Sequence, residues 1–405
     1  MKPSLRSLAL FWLKLGCISF GGPAAHIALM HREVVERKKW IDDRRFSHAL
    51  GFCMLLPGPE AQQLATYIGW MLHGAAGGAL AGAFFVLPSA LLLWGLSIVY
   101  VLYGSSPAPA AFLSGLMPVV AALVLLAAVR MARRSLKTMG GMIIAATALA
   151  LPFLWKIPIP WLLITALLAG YLFPRCLAVS GRPTLPALPI PHKTGRAALI
   201  SLLLWLVPVA ALLVFERGLL ARLAVFFSTT SLLTFGGAYV ILPFVAQHSV
   251  ASGWIASGAM LDGLGLAEAT PGPLIIVLQF IGFLAAWNQP GTCPPLLFAT
   301  LGAAIATWTT FLPSFVWIFL GAPHVERMLT NHRLSGALAG VSCCAVGIVA
   351  GLALWIAHHA FLPAGGPDWF AITVFLAALA GQRAGVVPLI LLGGISGVLR
   401  NLAGY

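Results

Sequence analysis

Charged residues are scarce in this sequence. Only 8% of its 405 residues are Asp, Glu, Lys or Arg, and only 10 of those are acidic. A water-soluble domain carries about 25% charged residues and needs them on its surface, so a soluble fold is excluded. Apolar residues make up 60% of the chain, and the mean hydropathy is +0.97. The sequence therefore predicts an integral membrane protein.

Cysteine pairs and enzyme motifs are also missing. The six cysteines are scattered without a C-x-x-C pair, so neither a disulfide framework nor a metal site is indicated. Asp42-Asp43 lies in a basic loop without further acids at helical spacing, and no catalytic triad, flavin motif or haem motif is visible. The net charge of +14 comes from short basic clusters between apolar runs, which is typical of topology signals rather than of nucleic-acid binding. We expect no cofactor, no metal, no nucleic-acid partner and no enzymatic activity.

The sequence contains five long runs of apolar residues. Each of five runs approaches or exceeds the ~20 residues that a helix needs to cross the ~30 Å hydrocarbon core of a bilayer. The alternation expected of membrane β-strands is absent, so the predicted fold class is an all-α polytopic membrane protein with the lipid bilayer as its surroundings. The runs are Ala79–Val101, Leu113–Val129, Ala198–Val214, Phe298–Leu320 and Leu334–Ala357.

Five short motifs occur twice, in the same order and about 220 residues apart, which indicates an internal repeat. The repeats predict an N-terminal domain over residues 1–175, a linker with an extra helix over 176–219, and a C-terminal domain over 220–405. The motif pairs are Ser19-Phe20-Gly21-Gly22 with Thr234-Phe235-Gly236-Gly237, Trp40-Ile41 with Trp254-Ile255, Pro57-Gly58-Pro59 with Pro271-Gly272-Pro273, Leu87-Pro88-Ser89 with Leu312-Pro313-Ser314, and Leu113-Ser114-Gly115 with Leu334-Ser335-Gly336.

The loop charges indicate that the two repeats have opposite orientations. In the first half, Arg32–Arg45 and Arg130–Lys137 are basic, whereas Gly104–Ala111 between them is uncharged. In the second half, Gln247–Trp254 has no Lys or Arg, and Pro323–Arg333 has two arginines. Because Lys- and Arg-rich loops stay in the cytoplasm, corresponding loops face opposite sides of the membrane. This pattern predicts two inverted-topology repeats, an architecture common among secondary transporters.

The same orientation requires that one apolar segment does not cross the membrane. The first basic loop and the first uncharged loop lie on opposite sides of the membrane, so the chain must cross an odd number of times between them. Two apolar segments separate these loops, so one of the two does not cross. His48–Leu72 contains Pro57-Gly58-Pro59, and two prolines cannot sit inside one straight helix. We therefore predict broken or re-entrant helices at both Pro-Gly-Pro motifs, and extend the prediction to the Phe-Gly-Gly motifs.

Helix ends created by these breaks predict an anion site. Proline favours the first position of a helix, and the new N-terminus exposes unpaired N–H groups and about half a positive charge. Several such ends at membrane depth bind an anion without a buried cation. The alternative is that Gly and Pro only permit kinks and close packing. The predicted substrate-binding residues are Lys14, Ser19, Gly21, Gly22, Pro23, His26, Pro57, Gly58, Pro59, Glu60, Gln62, Gln63, Thr234, Gly236, Gly237, Pro271, Gly272 and Pro273.

Few ionisable residues flank the breaks. Lys14 is a candidate counter-charge for the anion, although a lysine near a helix end can also snorkel to the membrane surface. Glu60 either caps a helix or links protonation to anion binding. Asp262 and Glu268 are the other acids beside a broken segment. The candidates for a proton-coupling residue are therefore Glu60, Asp262 and Glu268, and the choice among them stays open.

Four segments carry a recognisable set of motifs. They are Phe20-Gly21-Gly22-Pro23, Met30-His31-Arg32-Glu33, the run from Met54 through Pro57-Gly58-Pro59-Glu60-Ala61-Gln62-Gln63 to Gly69, and Phe85-Val86-Leu87-Pro88-Ser89. This set resembles the chromate ion transporter family, in its long two-domain form, and the resemblance covers nearly the whole chain. It implies a multi-pass inner-membrane protein that exports chromate and confers chromate resistance, with sulfate as the related anion and proton exchange as a family-level expectation. A transporter of sulfate or another tetrahedral oxyanion and an anion channel remain alternatives, and a homodimer stays open.

Overall fold

The computed structural model describes residues 3–104, 106–155, 157–177, 194–235, 237–291, 293–322, 332–362 and 366–403. Within these ranges the regular structure is helical, with short 3-10 and π turns and no strand. Five of the described helices are long and apolar enough to cross a membrane. The protein is an all-α, multi-pass membrane protein, as its composition predicted.

The described part of the first half contains seven helices, and a single turn, Pro174–Leu177, follows the last of them. The fourth helix is bent at His73 and Gly74, where the backbone leaves helical geometry, so it consists of two arms. The helices are α1 (Leu5–Ile18), α2 (Gly22–His31), α3 (Asp43–Cys53), α4 (Glu60–Tyr103), α5 (Pro107–Ser135), α6 (Met139–Trp155) and α7 (Ile159–Leu172).

The described remainder repeats this order after one additional helix. The additional helix is α8 (Gly195–Ala211), which overlaps the apolar run Ala198–Val214. The helices that follow are α9 (Leu219–Leu233), α10 (Ala238–Ala251), α11 (Ser257–Ala269), α12 (Val277–Asn288), α13 (Pro295–Gly321), α14 (His332–Phe361), α15 (Trp369–Ala380) and α16 (Val386–Leu402).

The helices break where the glycine and proline motifs predict. Between α1 and α2, Gly21 and Gly22 have φ of 100° and 76°, and Pro23 is the second residue of α2. Between α3 and α4, Gly58 has a φ of 123°, and Pro59 immediately precedes the first helical residue, Glu60. These φ values lie in the left-handed region that favours glycine. The predicted interruptions of the first half are therefore confirmed.

The second half breaks at the same motifs with one difference. Gly237 and Gly272 have φ of 103° and 106°. After Pro273, however, the chain forms a 3-10 turn, Leu274–Ile276, and α12 starts only at Val277. The first half has an acid, Glu60, in the first turn of α4, which favours an α-helical N-terminus. The second half has the bulky sequence Leu-Ile-Ile there, with two β-branched isoleucines and no capping group, and the turn stays tight.

Close glycine contacts fold each broken segment against its neighbour. Gly69 in the first arm of α4 packs on Gly77 in the second arm, and Gly282 in α12 packs on Gly302 in α13 in the same way. A Cβ atom at any of these glycines would collide with the opposing backbone. The two arms of α4 therefore form a tight hairpin, which α12 and α13 repeat.

The last helix of each half packs on the other half. Gly115 of α5 lies against Gly393 and Gly397 of α16. The equivalent glycine, Gly336 of α14, lies against Gly170 of α7. Small residues permit this close helix approach inside a membrane. The two halves consequently interlock, because α7 and α16 each cover the partner half instead of their own.

Candidate functional site

The broken-helix motifs of the two halves are hydrogen-bonded to each other. The amide of Gly58 donates to the carbonyl oxygen of Thr234 at 2.7 Å. The amide of Gly272 donates to the carbonyl oxygen of Ser19 at 2.6 Å. Each Pro-Gly-Pro turn is thus bonded to the Phe-Gly-Gly segment of the opposite half. The four motifs meet in the interior, and we call this assembly the motif cluster.

The Leu-Pro-Ser serines complete the two cross-connections. Ser89 and Ser314 are fully buried. A Cβ atom at Gly58 would lie 2.8 Å from the Oγ of Ser314, and one at Gly272 would lie 2.5 Å from the Oγ of Ser89. The sequence identified these serines only as part of a repeat. That repetition was the available signal for their place at the site.

The two Phe-Gly-Gly segments also approach each other, and Gly236 of the second one lies outside the described residues. A Cβ atom at Gly22 would lie 3.5 Å from the Oη of Tyr239, and one at Gly237 would lie 4.0 Å from the Cγ of Pro23. The Tyr239 hydroxyl donates to the Oε1 of Glu268 at 2.5 Å. The N-terminal ends of α2 and α10 therefore lie close to a buried carboxyl group. Tyr239 was not predicted, since a tyrosine in an apolar helix gives no signal beyond following the Gly-Gly pair.

Unpartnered polar atoms surround the first Pro-Gly-Pro turn. Gln62 and Gln63 are fully buried in the first turn of α4. The Nε2 of Gln63 donates to the carbonyl oxygen of Pro57 at 2.7 Å, but the Oε1 atoms of both glutamines have no described partner. The hydroxyls of Thr310 and Ser314, one turn apart on α13, are likewise without a described partner. A buried polar group left unpaired costs about 1–3 kcal/mol, so this arrangement suits a polar ligand or water.

His26 connects α2 to the second cross-connection. It is 1% exposed, and its Nε2 lies 3.1 Å from the carbonyl oxygen of Ser19. The carbonyl is an acceptor, so Nε2 carries the proton, and Nδ1 is left without a described partner. The same Ser19 oxygen accepts from the Gly272 amide. The Nδ1 of His26 is thus a further unpartnered acceptor beside the motif cluster.

The three candidate acids occupy different places. Glu60 is 8% exposed at the N-terminus of α4 and has no hydrogen bond or ion pair to a described residue. Glu268 is 4% exposed, and Tyr239 is its hydrogen-bond donor. Asp262 accepts from the Tyr100 hydroxyl at 2.8 Å and precedes Glu268 by about 9 Å along α11. Glu60 and Glu268 therefore flank the motif cluster, and Asp262 lies farther away.

Buried cations are absent from the described ranges. No Lys or Arg is among the buried residues there. Lys14 lies on the exposed face of α1 with Leu10 and Ile18, one turn to either side, and the structure does not bring it into the motif cluster. Inside the cluster itself, the helix N-termini and their amides supply the positive potential that a buried cation would otherwise supply. Within the same ranges no group of three His, Cys, Asp or Glu residues is placed to hold a metal ion.

Comparison with known proteins gives consistent matches. A family model described as "Chromate transporter" matches residues 6–171 and 221–398. A chromate transport protein of Pseudomonas aeruginosa is 32% identical over 398 residues, which cover 96% of this chain and 90% of that protein. A probable chromate transport protein of Synechococcus elongatus is 31% identical over 86% of this chain and 83% of its own length.

A third relative, a chromate transport protein of Cupriavidus metallidurans, is 28% identical over 89% of this chain and 84% of that protein. No solved structure matches the chain significantly. All three relatives are named as transport proteins, so these matches point to transport and not to an enzymatic reaction.

Proposed function

The chain belongs to the chromate transporter family, and on that premise we propose that it carries the chromate dianion out of the cytoplasm across the inner membrane. The observation that carries this proposal is the motif cluster. Three helix N-termini, those of α2, α4 and α10, converge there with unpartnered buried polar atoms. Converging helix ends are a known means of holding an anion at membrane depth.

The cluster supplies donors that match a tetrahedral oxyanion. Each helix N-terminus contributes roughly 0.3–2 kcal/mol towards an anion, so three ends together give useful binding without a buried cation. The hydroxyls of Thr310 and Ser314 can donate to the oxygens of the anion. The Nε2 groups of Gln62 and Gln63 each keep a second N–H for the anion beyond their bonds to the carbonyl oxygens of Phe311 and Pro57, whereas their Oε1 atoms only accept. The second half thus contributes contacts through α13, beyond the residues that the sequence predicted.

We also propose that residues 1–175 and 220–405 form inverted repeats joined by residues 176–219. The common order of helices and the reciprocal bonds Gly58–Thr234 and Gly272–Ser19 support this arrangement. In alternating access one half rocks against the other around a fixed site. The two cross-connections then act as gates, because each joins a broken helix of one half to the other half. Opening one while the other stays closed exposes the cluster to one side of the membrane only.

Glu60 is the proposed proton-coupling residue. Its carboxyl group is buried at the N-terminus of α4, where an ionised form would compete with the substrate for the same helix end. Glu268 accepts a hydrogen bond from the Tyr239 hydroxyl, and Asp262 accepts one from the Tyr100 hydroxyl. A carboxyl group without a fixed donor is the one free to change partners during transport.

Dissipating the membrane potential is expected to slow chromate efflux. One charge moving through 100 mV gains about 2.3 kcal/mol, so a dianion leaving a negative interior gains roughly 4.6 kcal/mol. This corresponds to a concentration ratio of more than about a thousandfold. The measurement is uptake of labelled chromate into energised inverted vesicles, with and without an ionophore that clamps the potential at zero. Uptake that does not change with the membrane potential and depends only on the pH gradient would show electroneutral proton exchange instead.

Sulfate is the second candidate substrate. The unpartnered groups around the first Pro-Gly-Pro turn are amides and hydroxyls, and these respond to the shape and charge of an anion, which chromate and sulfate share. Sulfate is therefore expected to compete with chromate in the same vesicles. Competition identifies a common site, and its absence would leave chromate as the preferred anion.

A further inference from the structure

Two arginines lie one turn apart near the C-terminal end of α5. Arg130 and Arg134 are both exposed, and their four-residue spacing places them on the same face of the helix. The Nη2 of Arg134 lies 3.3 Å from the Sδ of Met54, which caps α3 just before the first Pro-Gly-Pro turn. This pair therefore lies beside the segment that leads from α3 into the first Pro-Gly-Pro turn.

Each arginine is close enough to a buried acid of a different half to interact with it electrostatically. Arg134 acts electrostatically on Glu60 at the start of α4. Arg130 acts electrostatically on Glu268 and on Tyr239 in the second half. A single helix end thus presents one cation to each side of the motif cluster.

Neither arginine has a counter-ion among the described residues. The other arginines that pair with acids there do so at the surface, as Arg37 does with Glu33 and Arg400 with Asp368. Arg130 and Arg134 form no such salt bridge within the described ranges. An exposed guanidinium offers several N–H donors in a planar fork suited to oxyanions. Two of them on one helix face can hold one dianion.

We propose that Arg130 and Arg134 form a recruitment site for the oxyanion dianion at the cytoplasmic entrance, from which the anion passes to the motif cluster. This inference rests on the proposed function and adds to it a second, outer binding site. The site concentrates the substrate next to Glu60 and Glu268. Its binding energy is electrostatic and exposed to solvent, so it weakens as the ionic strength rises.

The test is the concentration dependence of chromate uptake into inverted vesicles at low and high salt, for wild type, Arg130→Gln and Arg134→Gln. Each glutamine variant is expected to raise the half-saturating chromate concentration about tenfold at low salt, to leave the maximal rate largely unchanged, and to weaken the salt dependence. Arg222→Gln is the matched control. It removes the same charge from an exposed arginine near the start of α9, about 18 Å along that helix from Thr234. The control is expected to behave as wild type.

Unchanged half-saturation in both glutamine variants, or a loss confined to the maximal rate, would overturn the recruitment site. Arg130→Lys and Arg134→Lys guard against misfolding, because they keep the charge but lose the planar fork, and their half-saturating concentrations should lie between those of wild type and the glutamine variants. Lysine variants as impaired as the glutamine variants would also overturn it. A wild-type protein that moves no chromate would refute the proposed function, whereas wild-type transport with unaffected variants would refute only this inference.

The phosphate of a phospholipid head group is the alternative ligand for the two arginines, because it offers anionic oxygens like those of chromate. Purified protein in liposomes of phosphatidylcholine alone distinguishes the two ligands. The tenfold effect of the glutamine variants is expected to persist in this neutral lipid. An effect that occurs only when anionic lipid is present would show that the arginines bind head groups, and the recruitment site would be wrong.

Discussion

Replacing Glu60 by glutamine is expected to lower chromate uptake into inverted vesicles by about tenfold or more, a loss of at least about 1.4 kcal/mol in transition-state or binding free energy. Glu60 is buried at the N-terminus of α4 and has no hydrogen bond to a described residue. Glutamine has the same shape, so the helix start and its packing survive. The side chain can no longer exchange a proton, and the step that links substrate release to a change of charge is lost.

The pH dependence of uptake distinguishes this role from a structural one. Wild-type uptake is expected to vary with pH, and Glu60→Gln is expected to flatten that variation. Glu36→Gln serves as the control because Glu36 is 59% exposed and pairs with His31 outside the motif cluster. A Glu60→Gln variant with wild-type rate and wild-type pH profile would move proton coupling to Glu268 or Asp262.

Replacing Gly58 by alanine is expected to abolish transport and to reduce the amount of folded protein in the membrane. The φ of 123° disfavours any L side chain, at a cost of about 1–3 kcal/mol. The added methyl group would also lie 2.8 Å from both the Ser314 Oγ and the Gln63 Nε2. Both neighbours belong to the motif cluster, so the strain falls on the site itself. Gly272→Ala meets Ser89 in the same way and should behave alike.

Gly95→Ala is the matched control for these glycine variants. Gly95 lies inside α4 with open space around its Cα, and alanine there is expected to stabilise the helix by about 0.5–1 kcal/mol. Membrane content, thermal melting in detergent and chromate uptake are measured for all three variants. If Gly58→Ala matched Gly95→Ala in every measurement, the crossed turn would not be part of the transport machinery.

The glycine and proline residues of the motifs made the helix breaks predictable from the sequence. Glycine and proline determine which φ angles their own backbone adopts. Gly21, Gly58 and Gly272 therefore predicted left-handed turns without any information about the residues that they contact. Composition was equally sufficient for the membrane assignment, because a chain with 8% charged residues cannot cover itself with polar surface.

Contacts between distant segments were not predictable in the same way. Nothing near Gly58 in the sequence indicates that its amide donates a hydrogen bond to the carbonyl oxygen of Thr234, or that Ser314 packs against it. The repeat showed that the two halves are alike, but not that each turn binds the opposite half. Tyr239 was missed for the same reason, since its partner Glu268 is 29 residues away on another helix. The exposed position of Lys14 depends on how α1 packs, which its own residues do not reveal.

The central claim is that this chain alone moves chromate across a membrane. The most direct measurement is uptake of labelled chromate by the purified protein in liposomes, with an imposed interior-positive potential and unlabelled sulfate as competitor. We expect saturable uptake that rises with the potential, falls in Glu60→Gln and is reduced by sulfate. Liposomes that accumulate sulfate but no chromate, or that show no uptake above protein-free vesicles, would contradict the account.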